Sequence, residues 1–339
     1  MRFNSNRKLK FLLLFLVLTG AVLLNVSLGS VNIPFAETLK ALMAQSLENS
    51  SWEYILLDYR FPKALTSILV GGGLALSGLL MQTLFQNPLA GPFVLGISSG
   101  ASLGAALLLM GSTLLGSFLF SEVSLVIAAS LGSFLVLLAI VIVANRVRDT
   151  MTLLIIGLMF GSITSAVVSV LAYFSEAEQL QRFIFWSYGS VGSLSWTQVA
   201  LLAAIVAVGV VLTILSIKNL NALLLGEDYA QSLGVHLKKS RLVIIAATGV
   251  LAGSITAFAG PIAFIGLAVP HLTRQIFSTM EHRTLVPAVF LYGAILMLLC
   301  DTVAQLPTSA KVLPINAITC IIGAPVVIWL LVKKRKIFF

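Results

Sequence analysis

Four stretches of this chain hold no ionised side chain at all. They lie between Lys63 and Glu122, between Asp149 and Glu176, between Arg182 and Lys218, and between Arg241 and Arg274. A helix crosses the ~30 Å hydrocarbon layer of a bilayer with about 20 apolar residues. Each stretch therefore holds one membrane span, and the longer ones hold two. Charged residues make up 10% of the chain, too few to coat a soluble globule, in which about 25% is usual. Transmembrane barrels need short segments of alternating polarity, and none are seen. The sequence predicts an all-α, polytopic membrane protein.

Breaks at Gly, Pro, Asn and charge clusters divide the chain into about ten spans, near 11–29, 62–84, 93–111, 122–144, 151–173, 197–216, 241–259, 262–277, 285–304 and 313–332. The apolar run after MRFNSNRKLK is too long for a typical signal peptide and is read as a retained first span. An even number of spans puts both termini on one side. With both termini cytoplasmic, only Lys40, Arg60, Lys63, Arg182 and Lys311 of the 21 basic residues fall outside. That is a strong positive-inside bias. The net charge of +9 then reports orientation in a lipid membrane, and no basic-aromatic surface points to nucleic acid.

Residues 217–240 form the largest cytoplasmic segment. Its core, GEDYAQSLGVHLKKSR at 226–241, is polar and resembles a soluble surface. Gly226 and Gly234 can reset the chain direction. Glu227 and Asp228 favour a helix start, since acids complement the positive end of the helix dipole. Lys238, Lys239 and Arg241 return the chain to the membrane.

Several kinds of chemistry are missing. No phosphate-binding G-x-x-x-x-G-K-[ST] occurs, so the chain is expected to lack an ATPase site of its own. His236, His271 and His282 lack metal-ligand spacing, and no cofactor is implied. Cys300 and Cys320 sit in apolar runs and read as packing residues. Asp301 is nearly the only ionisable residue deep in a span, which argues against a proton- or sodium-coupled carrier. A stand-alone secondary transporter or channel is the rival class. GGGLALSG at 71–78 and GISSGASLG at 96–104 allow helices to approach closely. Ser98 and Ser99 are candidates for a polar path.

The stretch RFPKALTSILVGGGLALSGLLMQTLFQNPLAGPFVLGISSGASLG at 60–104 closely resembles the second and third spans of the FecCD-type permeases. These are the membrane subunits of ABC importers for iron-siderophores, haem and cobalamin. LLLGEDYAQSLGV at 223–235 resembles their coupling loop. GPIAFIGLAVPHLTR at 260–274, HRTLVPA at 282–288 and LPINAITCIIGAPVVIWLL at 313–331 match their C-terminal third.

The resemblance implies two permease subunits, identical or paired with a sister chain, in a bacterial cytoplasmic membrane. Two copies of an ABC ATPase subunit dock underneath and an extracytoplasmic substrate-binding protein docks outside. Gly226, Glu227, Asp228, Ala230 and Gly234 then belong to the ATPase-coupling loop. Thr150 and Met151 take the cytoplasmic gate positions, where Met151 is bulkier than the small hydroxyl residue of the cobalamin branch. Arg60 and Lys63 take the docking positions for the binding protein. The third basic docking position aligns with Gln305, and Lys311 lies close by. An iron-siderophore is the expected cargo, with haem and cobalamin as alternatives.

Overall fold

The computed structural model describes residues 5–43, 45, 47, 49–111, 121–147, 149–305 and 311–332. Arg2, Arg148 and the 333–336 basic cluster, used above for orientation, lie outside the described residues. Fourteen helices follow in chain order among the described residues. They are α1 (Ser5–Ser27), α2 (Phe35–Leu42), α3 (Ser50–Leu84), α4 (Ile97–Met110), α5 (Glu122–Ala144), α6 (Thr150–Phe174) and α7 (Ala177–Ser187). Then come α8 (Trp196–Leu215), α9 (Ile217–Leu223), α10 (Glu227–Ser232), α11 (Leu237–Ala259), α12 (Ile265–Phe277), α13 (His282–Ala304) and α14 (Ile315–Val332).

Seven of these are long and apolar enough to cross a membrane: α1, α3, α5, α6, α8, α11 and α13. Three other predicted spans fall on shorter helices, α4, α12 and α14. Backbone chemistry explains the first two. Before α4 the chain makes a 3₁₀ turn over Pro92–Leu95 and then a left-handed Gly96, so the helix starts only at Ile97. Before α12 the extended stretch after Gly260 ends in a left-handed Phe264. Conversely, α3 begins twelve residues before its predicted start at 62. Asn49 caps it, its Oδ1 accepting from the Ser51 amide at 2.8 Å, and the helix is π-wound over Ile55–Arg60.

The buried core centres on α3, flanked by α11, α12 and α13. The glycines predicted to allow close approach do so. A Cβ on Gly78 would lie 1.8 Å from the carbonyl oxygen of Gly266 in α12, and one on Gly71 would lie 2.2 Å from that of Gly293 in α13. Backbones this close forfeit side chains but gain contact area along both helices.

Packing is uneven. Of the most apolar stretch of α3, 83% is buried, against 17% for α6. Only Leu153, Gly157 and Thr164 of α6 are buried. Its remaining face, including Met151, Ile155, Met159, Ile163 and Val170, is exposed along the whole helix.

Candidate functional site

Residues 217–240 hold two short helices, α9 and α10, and the start of α11, with Gly226 and Gly234 in the turns between them. Gly226 (φ +95°) ends the turn after α9, and Gly234 (φ +83°) ends the turn after α10. Side chains are disfavoured at such angles. Helix α10 starts at Glu227, with both acids in its first turn. Ala230 is fully buried beneath it.

Glu227 also makes a bond that sequence reasoning missed. Arg241 Nη2 donates to both of its carboxylate oxygens, at 2.7 and 2.6 Å. This pair ties α10 to the second turn of α11, the segment expected only to return the chain to the membrane. The two residues are 14 positions apart, and only the fold shows that the turn at Gly234 brings them together.

Leu225, Tyr229 and Leu233 are 60%, 56% and 58% exposed. Tyr229 lies within α10, Leu225 just before the Gly226 turn and Leu233 just after the last helical residue. With Ala230 inward and these three outward, the segment presents an apolar ridge on an otherwise polar surface.

At the start of α6, Asp149 caps the helix. Its carboxylate accepts from the amides of Met151 (3.3 Å) and Thr152 (2.7 Å) and from the Thr152 hydroxyl (2.6 Å). Hydrogen bonds from the Thr152 side chain, and then from its backbone, hold the Asp149 carboxyl below the usual carboxylate range. Thr150 and Met151 form the first turn, with Met151 exposed.

Arg60 and Lys63 occupy a different setting from the one expected. Three positions apart on a helix, they take the docking positions that the resemblance gives to the outside of the permease. Both are buried, Arg60 at 5% exposure and Lys63 at 7%. The Arg60 guanidinium donates to the carbonyls of Val26 (2.8 Å), Ser27 (2.9 Å) and Val31 (2.5 Å). The last carbonyls of a helix lack intrahelical partners and carry partial negative charge, so a cation at the end of α1 satisfies both needs. Lys63 Nζ lies 3.1 Å from Asp301 Oδ1. The other carboxylate oxygen of Asp301 accepts from Asn25 Nδ2 and Gln305 Nε2, each at 2.8 Å. Asp301 is therefore a packing carboxylate. Gln305, at the third docking position, is bound into the same network. Lys311 is exposed. A cavity of about 80 Å³ remains here, lined among others by Tyr59, Arg60, Lys63 and Gln305.

Ser98 does not line an open path. It is buried, with Oγ 3.2 Å from Thr256 Oγ1. Cys300 is buried and Cys320 half-buried, both as free thiols. No cluster of three or more metal-ligating side chains occurs among the described residues.

The profile of the FecCD transport family matches residues 13–333. The chain belongs to the FecCD transport family. Among its relatives is the vitamin B12 import system permease protein BtuC of Escherichia coli O9:H4 (strain HS), 39% identical over 284 residues, which are 84% of this chain and 85% of that protein. Another is the hemin transport system permease protein HmuU of Yersinia pestis, 34% identical over 347 residues, covering 99% of this chain and 98% of that one. A solved structure described as an inward-facing conformation of a metal-chelate type ABC transporter superposes with a TM-score of 0.83 at 30% identity, over 94% of this chain and 97% of that chain. This FecCD chain is thus a permease of the ABC importer family, and its many apolar helices are those of a transport component.

Proposed function

We propose that this permease works as one of two copies in a binding-protein-dependent importer of the bacterial cytoplasmic membrane. It carries a bulky metal chelate of the siderophore, haem or cobalamin class by alternating access. Ten segments span the membrane, both termini are cytoplasmic, and two ATPase subunits supply the energy. The carrying observation is the set of exposed apolar side chains Leu225, Tyr229 and Leu233 on the segment shaped by the positive-φ glycines Gly226 and Gly234. A solvated loop has no use for such a ridge, whereas a cleft on a partner does. The pairing of two permease copies is supported by the exposed face of α6, which ends at Met151 and Thr150 and serves as gate and path lining. Docking of the binding protein is supported by the cavity beside Arg60 and Lys63, whose two cations are balanced by a single carboxylate, Asp301, so that the site keeps a net positive charge.

The cargo class rests on the relatives, whose named cargoes are vitamin B12 and hemin. Siderophore, haem and cobalamin stand level. Reconstitution of the chain with its ATPase and binding protein in liposomes tests the proposal. ATP-dependent accumulation of a ferric hydroxamate chelate, haem or cyanocobalamin is expected. Accumulation driven equally by a proton gradient without ATP would overturn it in favour of a secondary carrier.

A further inference from the structure

His282 is the first residue of α13 and is completely buried. No part of the transport reading uses it. Its backbone amide donates to Asn221 Oδ1 at 2.9 Å, and its ring Nδ1 lies 2.8 Å from the same atom. An atom that receives a backbone N–H is the amide oxygen, which only accepts. Nδ1 therefore carries a proton. Nε2, on the far side of the ring, lies 2.9 Å from Thr83 Oγ1 in the last turn of α3. One imidazole thus joins three elements: α9 through Asn221, α13 through its own backbone, and α3 through Thr83.

A second strut runs beside it. Gln86, just past the end of α3, adopts φ +46°, a conformation rare for a residue with a side chain. Its amide Nε2 donates to the carbonyl of Leu223, the last residue of α9, at 2.8 Å. Helix α13 has no capping side chain of its own, since Glu281 makes no cap bond. Asn221, from a different element, performs that service.

These bonds have a mechanical consequence. Helices α9 and α10 pack together across the Gly226 turn. Helices α3 and α13 touch backbone to backbone at Gly71 and Gly293. The joint therefore connects two rigid pairs, and it is buried where hydrogen bonds are stiff and costly to leave unmade. We infer that the Asn221–His282–Thr83 bridge is a transmission joint: displacement of α9–α10 passes through the His282 ring to the α3–α13 pair. His282 and Thr83 act as positioning residues in the transport stroke. The inference rests on the proposed role of α10 as the ATPase-contacting helix.

Hydrogen–deuterium exchange on the full complex in nanodiscs tests it, comparing the nucleotide-free and ATP–vanadate-trapped states. The signal is the nucleotide-dependent difference in exchange, which a merely structural role would leave unmoved. In the parent complex, both α9–α10 and the last turn of α3 should respond. Thr83→Val removes the hydroxyl but keeps the shape. It should leave the α9–α10 response and ATP hydrolysis intact while shrinking the response at the end of α3. The expected loss is about two- to tenfold, the factor attached to one buried hydrogen bond. Thr83→Ser should restore it. His282→Leu, which loses the ring bonds to both Thr83 and Asn221 while its backbone amide still meets Asn221, carries the same test should Thr83→Val fail to assemble. An undiminished response at α3 in these variants overturns the joint, as does a parallel loss in α9–α10. A parent whose α9–α10 segment ignores nucleotide instead overturns the coupling role itself.

Discussion

Lys63 Nζ sits 3.1 Å from Asp301 Oδ1, with the two side chains 8% and 4% exposed. A buried ion pair gives little net stability over apolar residues of the same shape, because both charges must leave water. Removing one partner alone is far worse, costing about 3–5 kcal/mol. Asp301→Ala should therefore be strongly destabilising, the more so because Asn25 and Gln305 lose their acceptor. The double change Lys63→Met with Asp301→Leu should recover much of the loss. Thermal unfolding in detergent measures both. Single and double changes that add without recovery would show that the pair is not coupled.

Arg60 gives a sharper outcome than a docking role alone would suggest. Three carbonyl oxygens converge on its guanidinium. Arg60→Glu places a carboxylate among them, with no donor left for any. The variant should fail to accumulate as folded protein. Arg60→Gln, which keeps two amide hydrogens, should survive at reduced stability. Fluorescence-detected size exclusion separates these outcomes. If Arg60→Glu folds normally and loses only binding-protein docking, the guanidinium does not hold α1 in place.

Glycines divide into two kinds here, and alanine substitution distinguishes them. At Gly78 the new Cβ would meet the Gly266 carbonyl at 1.8 Å, backbone against backbone. Overpacking of this kind costs about 1–3 kcal/mol or more, and α12 must shift away from α3. At Gly226 nothing lies within 4 Å, so only the strain of a positive φ remains, about 1–3 kcal/mol confined to a surface turn. Gly78→Ala should lower the yield of folded permease and its melting temperature. Gly226→Ala should lower both less, because a surface turn can relax, while weakening ATPase recovery. Equal yields for the two variants would contradict the close approach of α3 and α12.

Much of this was legible in the residue order. Charge-free runs located the helices, because ionised groups are expelled from hydrocarbon whatever the topology. The glycines at 71–78 announced close approach, and Gly226, Glu227 and Gly234 marked the turn and start of α10. What the sequence concealed was pairing across distance. Nothing local shows that Lys63 meets Asp301, that Arg241 folds back on Glu227, or that Arg60 points at the end of α1. Basic residues near a predicted membrane surface read as exposed until the fold supplies acceptors for them. The short α4 and α12 were obscured for another reason. Hydropathy measures the apolar run, whereas the helix is delimited by the left-handed residues Gly96 and Phe264.

The ridge on α10 gives the most direct test of partnership. Leu225, Tyr229 and Leu233 expose more than half their surface, while Ala230 between them is fully buried. Burying one large apolar side chain at an interface is worth about 1.5–3 kcal/mol, and introducing a carboxylate there adds a desolvation cost. Tyr229→Asp should therefore weaken capture of the ATPase subunit by at least about tenfold, the factor that corresponds to 1.4 kcal/mol. Leu233→Asp should act in the same direction. Neither side chain supports the fold, so permease level and melting temperature should match the parent. Ala230→Asp is the contrasting case, since it buries a charge and should lower stability as well. Co-purification of the ATPase, with unfolding of the isolated permease measured alongside, gives both quantities. Full recovery of the complex with Tyr229→Asp and Leu233→Asp combined would show that the ridge is not the ATPase contact.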